Sequence, residues 1–78
     1  MPIVLRVKGY RFGFYASDAD EPPHVHVNKN GKCAKYWLVP VSLQSSKGFA
    51  AHELNEAERI VVRNLIALLE SWNAFFNR

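Results

Sequence analysis

Cysteine is nearly missing from this chain: Cys33 is the only one in 78 residues. That excludes an internal disulfide and any cysteine-based zinc cluster, and a lone thiol suits a reducing compartment. Long apolar runs are missing as well. The stretch from Leu65 to Leu69 is short and flanked by polar residues, far below the roughly 20 residues that span a bilayer. Met1-Pro2-Ile3-Val4-Leu5-Arg6 lacks the charged n-region and apolar run of a signal peptide. The expectation is a cytoplasmic protein without membrane association. Internal repeats, low-complexity tracts and linkers are absent, and so short a chain has no room for a second core. One domain over residues 1–78 is expected.

What is present suffices to fold. Hydrophobic residues make up 49% of the chain, with Trp37, Trp72 and five phenylalanines among them, which argues against disorder. The net charge of +3 is uneven. Residues 1–48 carry seven Lys/Arg against three acids, whereas residues 49–78 carry three Arg against four Glu. This asymmetry admits an anionic partner without demanding one.

Ile3 to Val7 and Tyr10 to Tyr15 alternate with period two around Lys8-Gly9, a two-residue hairpin loop. That loop sets Val7 opposite Tyr10, Arg6 opposite Arg11, Leu5 opposite Phe12 and Ile3 opposite Phe14. Asp18-Ala19-Asp20-Glu21-Pro22-Pro23 is an acidic loop whose prolines pre-set an extended backbone. His24 to Val27 then alternates, and Asn30-Gly31 is the strongest hairpin signal in the chain. In its register His24 faces Trp37 and His26 faces Lys35. Both histidines, Cys33, Lys35 and Trp37 share one face; Val25, Val27, Ala34, Tyr36 and Leu38 share the other. Pro40 ends the fourth strand, and about 41–50 reads as a connecting loop or short edge segment. From about Ala51 to residue 76 the period becomes 3.6, with Leu54, Ala57, Val61, Leu65, Leu68, Leu69, Trp72, Phe75 and Phe76 in one stripe. The expected fold is α+β: two β-hairpins over about 2–40 forming a four-stranded antiparallel sheet, with one long C-terminal helix on one face.

His24 and His26, at i and i+2 on a strand, point the same way and titrate near neutral pH. They read as two half-exposed strand histidines first, and as an acid/base pair second. Two histidines fall short of the three or four ligands of a metal site, and His52 adds a third only if the helix start meets the sheet edge. No metal ligand and no cofactor is assigned. Arg6 directly opposite Arg11 is mildly unfavourable. With Lys35, Lys8 and Trp37 it suggests phosphate contacts beside a stacking platform. Glu53 is a first-turn acid that acts as a base only if it reaches the histidines. Trp72, Phe75 and Phe76 read as core, or as a homodimer contact at the helix end.

Met1-Pro2-Ile3, Gly9-Tyr10-Arg11-Phe12, Pro22-Pro23-His24-Val25-His26-Val27, Ala34-Lys35-Tyr36-Trp37-Leu38, Gly48-Phe49 and Trp72 occur in this order. Together they resemble the short prokaryotic proteins grouped as domain of unknown function 4160, across essentially the whole chain. Pro-Pro-His-x-His is the most specific element. The resemblance implies a two-protein toxin–antitoxin-type module, this family being the toxin and a small protein from a neighbouring gene its cognate partner. It carries no catalytic assignment, but puts emphasis on Pro22, Pro23, His24, His26, Lys35, Trp37, Glu53 and Trp72. One departure is Ala50-Ala51, where members commonly carry Ser-Pro, which weakens the helix cap and lets its start slip toward Asn55.

Two functions follow as expectations. The first is a metal-independent, ribonuclease-like toxin acting on RNA. In it His24 and His26 are general base and acid with Lys35 and Glu53 in the catalytic set, while Arg6, Arg11 and Trp37 bind. The second is a non-catalytic protein- or nucleic-acid-binding module: an antitoxin, adaptor or regulator.

Overall fold

Residues 1–77 are described by a computed structural model; Arg78, the end of the expected domain, lies outside them. Strands β1 (Ile3–Val7), β2 (Tyr10–Gly13), β3 (His24–Lys29), β4 (Lys32–Leu38) and β5 (Val41–Lys47) form one antiparallel sheet in sequence order. Helices α1 (Ala51–Arg63) and α2 (Leu65–Phe75) follow. A 3-10 segment, Ala16–Asp20, lies between β2 and β3.

The first two hairpins turn as the sequence predicts. Lys8 and Gly9 have φ of 51° and 83°, and Asn30 and Gly31 have 50° and 78°. Two successive positive φ values give the turn whose twist matches that of the flanking strands. His24 faces Trp37, Val25 faces Tyr36, His26 faces Lys35, and Arg6 faces Arg11, all as expected. The pairing of Ile3 is different. It lies opposite Gly13 instead of Phe14, with an irregularity between Ile3 and Leu5. A Cβ on Gly13 would collide with the Pro2 carbonyl oxygen and stand 2.9 Å from Met1 Cγ, so the chain start crosses over the bare glycine.

The sheet has five strands, not four. Val41–Lys47, expected as a connecting loop or short edge segment, is a full strand that pairs with β4 from Leu38↔Val41 to Cys33↔Lys47, with a shift between Lys35 and Tyr36. Ser42, Gln44, Ser45 and Ser46 leave this strand without clean alternation. It is an edge strand, largely exposed, and its pairing with β4 rather than its composition makes it a strand.

The single long helix is in fact two. Asn64 Nδ2 donates to the Ile60 carbonyl at 2.8 Å, while the Asn64 amide is shared between the Ile60 and Val61 carbonyls. Such a side chain competes with the helix ladder and breaks it locally; Asn64 takes φ −112°, ψ 18°. The start at Ala51 is as expected despite the missing serine. Glu53 Oε1 accepts the Ala50 N–H at 3.0 Å, the half of a capping box that needs no hydroxyl.

Tyr10, Phe12, Phe14, Val25, Val27, Tyr36 and Leu38 of the inner face are buried against Ala57, Ile60 and Val61 of α1 and Leu68 and Trp72 of α2. Two tyrosines tie α1 to the sheet: Tyr10 Oη donates to Glu56 Oε1 at 3.0 Å and Tyr36 Oη to the Leu54 carbonyl at 2.7 Å. No helix among the described residues is long and apolar enough to cross a membrane.

Both hydroxyls are pushed up to about 12 by burial, with the Glu56 carboxylate adding for Tyr10 and Glu58 for Tyr36. Unfolded tyrosines ionise near the ordinary 10, so between pH 10 and 12 the unfolded chain has lost protons that the folded chain keeps. Stability is therefore expected to be undiminished below pH 10 and to fall through that window. Urea unfolding at pH 9 and pH 11 checks this, together with phenolate absorbance; a midpoint independent of pH contradicts it.

Candidate functional site

Direct pairing across the strands lays three rows of side chains on the outer face. Arg6, Arg11, Asn28, Cys33 and Lys47 form one row. Gly13, His26, Lys35 and Ser45 form the next, and His24, Trp37 and Ser42 the third. No strand contains an acid, so all strand charge is positive. No carboxylate of the described residues pairs with Arg6, Arg11 or Lys47. Lys35 is paired with Glu21, and its Nζ lies 4.8 Å from the centre of the Trp37 ring. The Lys35 ammonium holds the Glu21 carboxyl below the usual carboxylate range.

The two histidines share a face but not an environment. His24 is fully buried, whereas the His26 side chain is 21% exposed. β2 stops at Gly13, opposite His26, which leaves His24 unpaired on that side. Trp72 from α2 packs there at a ring separation of 5.1 Å, with Trp37 at 5.5 Å. His24 Nδ1–H donates to the Pro22 carbonyl at 2.8 Å. The Pro22-Pro23 pair thus sets the ring orientation as well as the chain entry into β3. The His26 ring meets Tyr15 edge-on at 4.5 Å.

The decisive neighbour is Asp18, on the 3-10 segment. Its Oδ2 accepts the Tyr15 amide at 2.8 Å and His26 Nε2–H at 3.1 Å, and it stands 3.1 Å from His24 Nε2. Burial opposes ionisation of Asp18, but the Tyr15 amide and the two imidazoles outweigh it and hold the carboxyl below its ordinary value. Burial also lowers His26 below the usual imidazole value, against the pull of Asp18. Among the described residues, Asp18, His24 and His26 are the group whose ligand atoms could hold a metal ion, all within 4.8 Å of one another. Sequence reading missed Asp18; its signal was an acid-rich loop running directly into His-x-His.

Beside this cluster is a cleft of about 350 Å³ whose lining includes Tyr15, His26, Asn28, Cys33, Lys35 and Lys47. A second hollow, of about 250 Å³, lies at the hairpin tips between Arg6, Arg11, Gly9, Tyr10 and Asn30. His26 and Lys35 thus share the cleft, Trp37 lies against Lys35 and His24 beside it, and Arg6 and Arg11 stand at the far end of the same face. Glu53 is not among them. It pairs with Lys32 at 2.6 Å, on the helix side and at the turn end of the β3–β4 hairpin, about 17 Å along the strand from His24. His52 is exposed on α1 and takes no part. Trp72, considered for a homodimer contact, lies in the chain's own core at 1% exposure, against Phe14, His24 and Phe76. Phe75 is 37% exposed.

A family described as Domain of unknown function (DUF4160) matches residues 9–73. No curated protein and no solved structure matches the chain.

Asp18→Ala removes the acceptor of the Tyr15 amide and of the His26 ring at once. A loss of about 2 kcal/mol is expected, read by urea unfolding. Asp18→Asn, which keeps an oxygen for the amide, is expected to lose less; equal losses contradict the capping role.

Proposed function

The chain belongs to the DUF4160 family, and we propose that its outer sheet face binds the phosphate backbone of single-stranded RNA. It does so as one component of a two-protein toxin–antitoxin-type module whose other component is a small protein from a neighbouring gene. The observation that supports this reading is the charge pattern of the uncovered face: Arg6, Arg11, Lys35 and Lys47 project from strands that contain no acid. Arg6 and Arg11 face each other directly and exposed. Two like charges so placed repel, and an anion between them relieves that repulsion. Trp37 and Tyr15 offer ring surface near the same cleft, as base-stacking platforms do on RNA-binding sheets.

The face supports binding better than a two-histidine acid/base reaction. A fully buried His24 does not reach a phosphodiester, and Glu53 lies on the other side of the sheet. A cleavage version of the same reading therefore narrows to His26, with Lys35 directly opposite it in the cleft.

Fluorescence titration of a labelled single-stranded RNA at several salt concentrations tests the proposal. Affinity is expected to fall steeply with salt, and the log–log slope to shrink by about 0.7 for each phosphate-contacting cation removed. Arg6→Ala/Arg11→Ala and Lys47→Ala are the variants to compare. Absence of binding at low salt, or undiminished binding by the double variant, overturns it. Gel analysis of the same mixtures with wild type and His26→Ala reads cleavage separately.

A further inference from the structure

His24 carries a buried ring nitrogen that no protein group satisfies by hydrogen bonding. Its ring is fully buried, and Nε2 has no hydrogen-bond partner. Asp18 Oδ2 stands 3.1 Å away, close enough for an ion pair but without the geometry of a hydrogen bond. Nδ1 must donate, because the Pro22 carbonyl opposite it only accepts. In a neutral ring Nε2 then carries a bare lone pair, turned toward a carboxylate oxygen that also carries lone pairs. Two acceptors facing each other in a buried site cost free energy unless something positive lies between them.

We propose that Asp18, His24 and His26 form a binding site for one first-row transition dication, of the Zn²⁺ class, with at least one coordination position open toward the cleft. Two imidazoles and one carboxylate are the donor set of catalytic zinc sites and of facial triads that hold iron. Both carboxylate-to-imidazole separations are 3.1 Å. Metal–ligand bonds of about 2.1 Å on each side span that distance at an angle near 95°, as adjacent ligands do. The three ligand atoms lie within 4.8 Å of one another; two such bonds span at most about 4.2 Å, so a bound ion draws the two imidazole nitrogens together.

The surroundings are those of a ligand set held in place. A ligating histidine typically donates its second ring N–H to a backbone carbonyl, as His24 Nδ1 does to Pro22. The Tyr15 amide supports Asp18, and Trp72, Trp37 and Tyr15 wall the two rings. His26, the one ligand ring with an exposed edge, lines the cleft; three protein ligands leave a place there for water or an anionic oxygen. This assignment is independent of RNA binding.

Chelator-stripped protein is titrated with Zn²⁺ alone by calorimetry and with Co²⁺ alone by visible absorption. One ion per chain is expected, with a cobalt d–d band. His26→Gln and Asp18→Asn are expected to weaken uptake by at least about 100-fold, because each removes a direct ligand and even an outer-shell partner is worth up to that much. His52→Ala and Cys33→Ser leave it unchanged. Should a variant fail to fold by circular dichroism, the wild-type histidine NMR signals decide. Zn²⁺ must perturb the rings of His24 and His26 and spare His52. No stoichiometric uptake overturns the proposal, as does uptake that survives His26→Gln and Asp18→Asn in folded protein, or that disappears with His52→Ala or Cys33→Ser.

Discussion

Asp18 Oδ2 holds the outer face together by gathering three nitrogen atoms: the Tyr15 amide, His26 Nε2 and His24 Nε2. The carboxylate keeps its charge because the Tyr15 amide and the His26 ring N–H donate to it. It pins the 3-10 segment to β3, and it brings Glu21 within reach of Lys35. The long connection between β2 and β3 is thereby anchored at the end of the sheet where β2 has already stopped. Without that anchor His24 would lack its cover on the outer side and the cleft would lose its Tyr15 wall.

The helices contribute from the opposite side through a side chain that also belongs to the site. Trp72 is core by its burial, yet it touches both Phe14 and His24. It projects from α2, which follows the break at Asn64, where a side-chain amide takes the Ile60 carbonyl. Core packing and site geometry are therefore coupled at one indole, and a change in either is felt by the other.

Charge is sorted by face in the same way. Two acids of α1 are committed to the inner side, where Glu53 binds Lys32 and Glu56 receives the Tyr10 hydroxyl and lies near Lys8. Lys32 and Lys8 are thus neutralised locally, whereas Arg6, Arg11 and Lys47 on the outer side have no such partner among the described residues. The outward excess of positive charge comes from placement, because the net charge of +3 is modest.

The parity of β1 to β4 is a local property of the chain. Lys8-Gly9 and Asn30-Gly31 admit two-residue turns, and pleat alternation then assigns the side chains to a face as far as the irregularity between Ile3 and Leu5. Hence His24 opposite Trp37, His26 opposite Lys35 and Arg6 opposite Arg11 are legible from turn length and alternation alone. Features without local periodicity arise only from long-range packing. β5 exists because β4 offered it a free edge, although its serines carry no strand pattern. The bend at Asn64 depends on one side-chain hydrogen bond inside an otherwise continuous apolar stripe. The contrast between buried His24 and partly exposed His26 depends on where β2 ends and where Trp72 arrives. Asp18 joins them only because the loop folds back over β3, a long-range placement that a pattern of alternating residues does not encode.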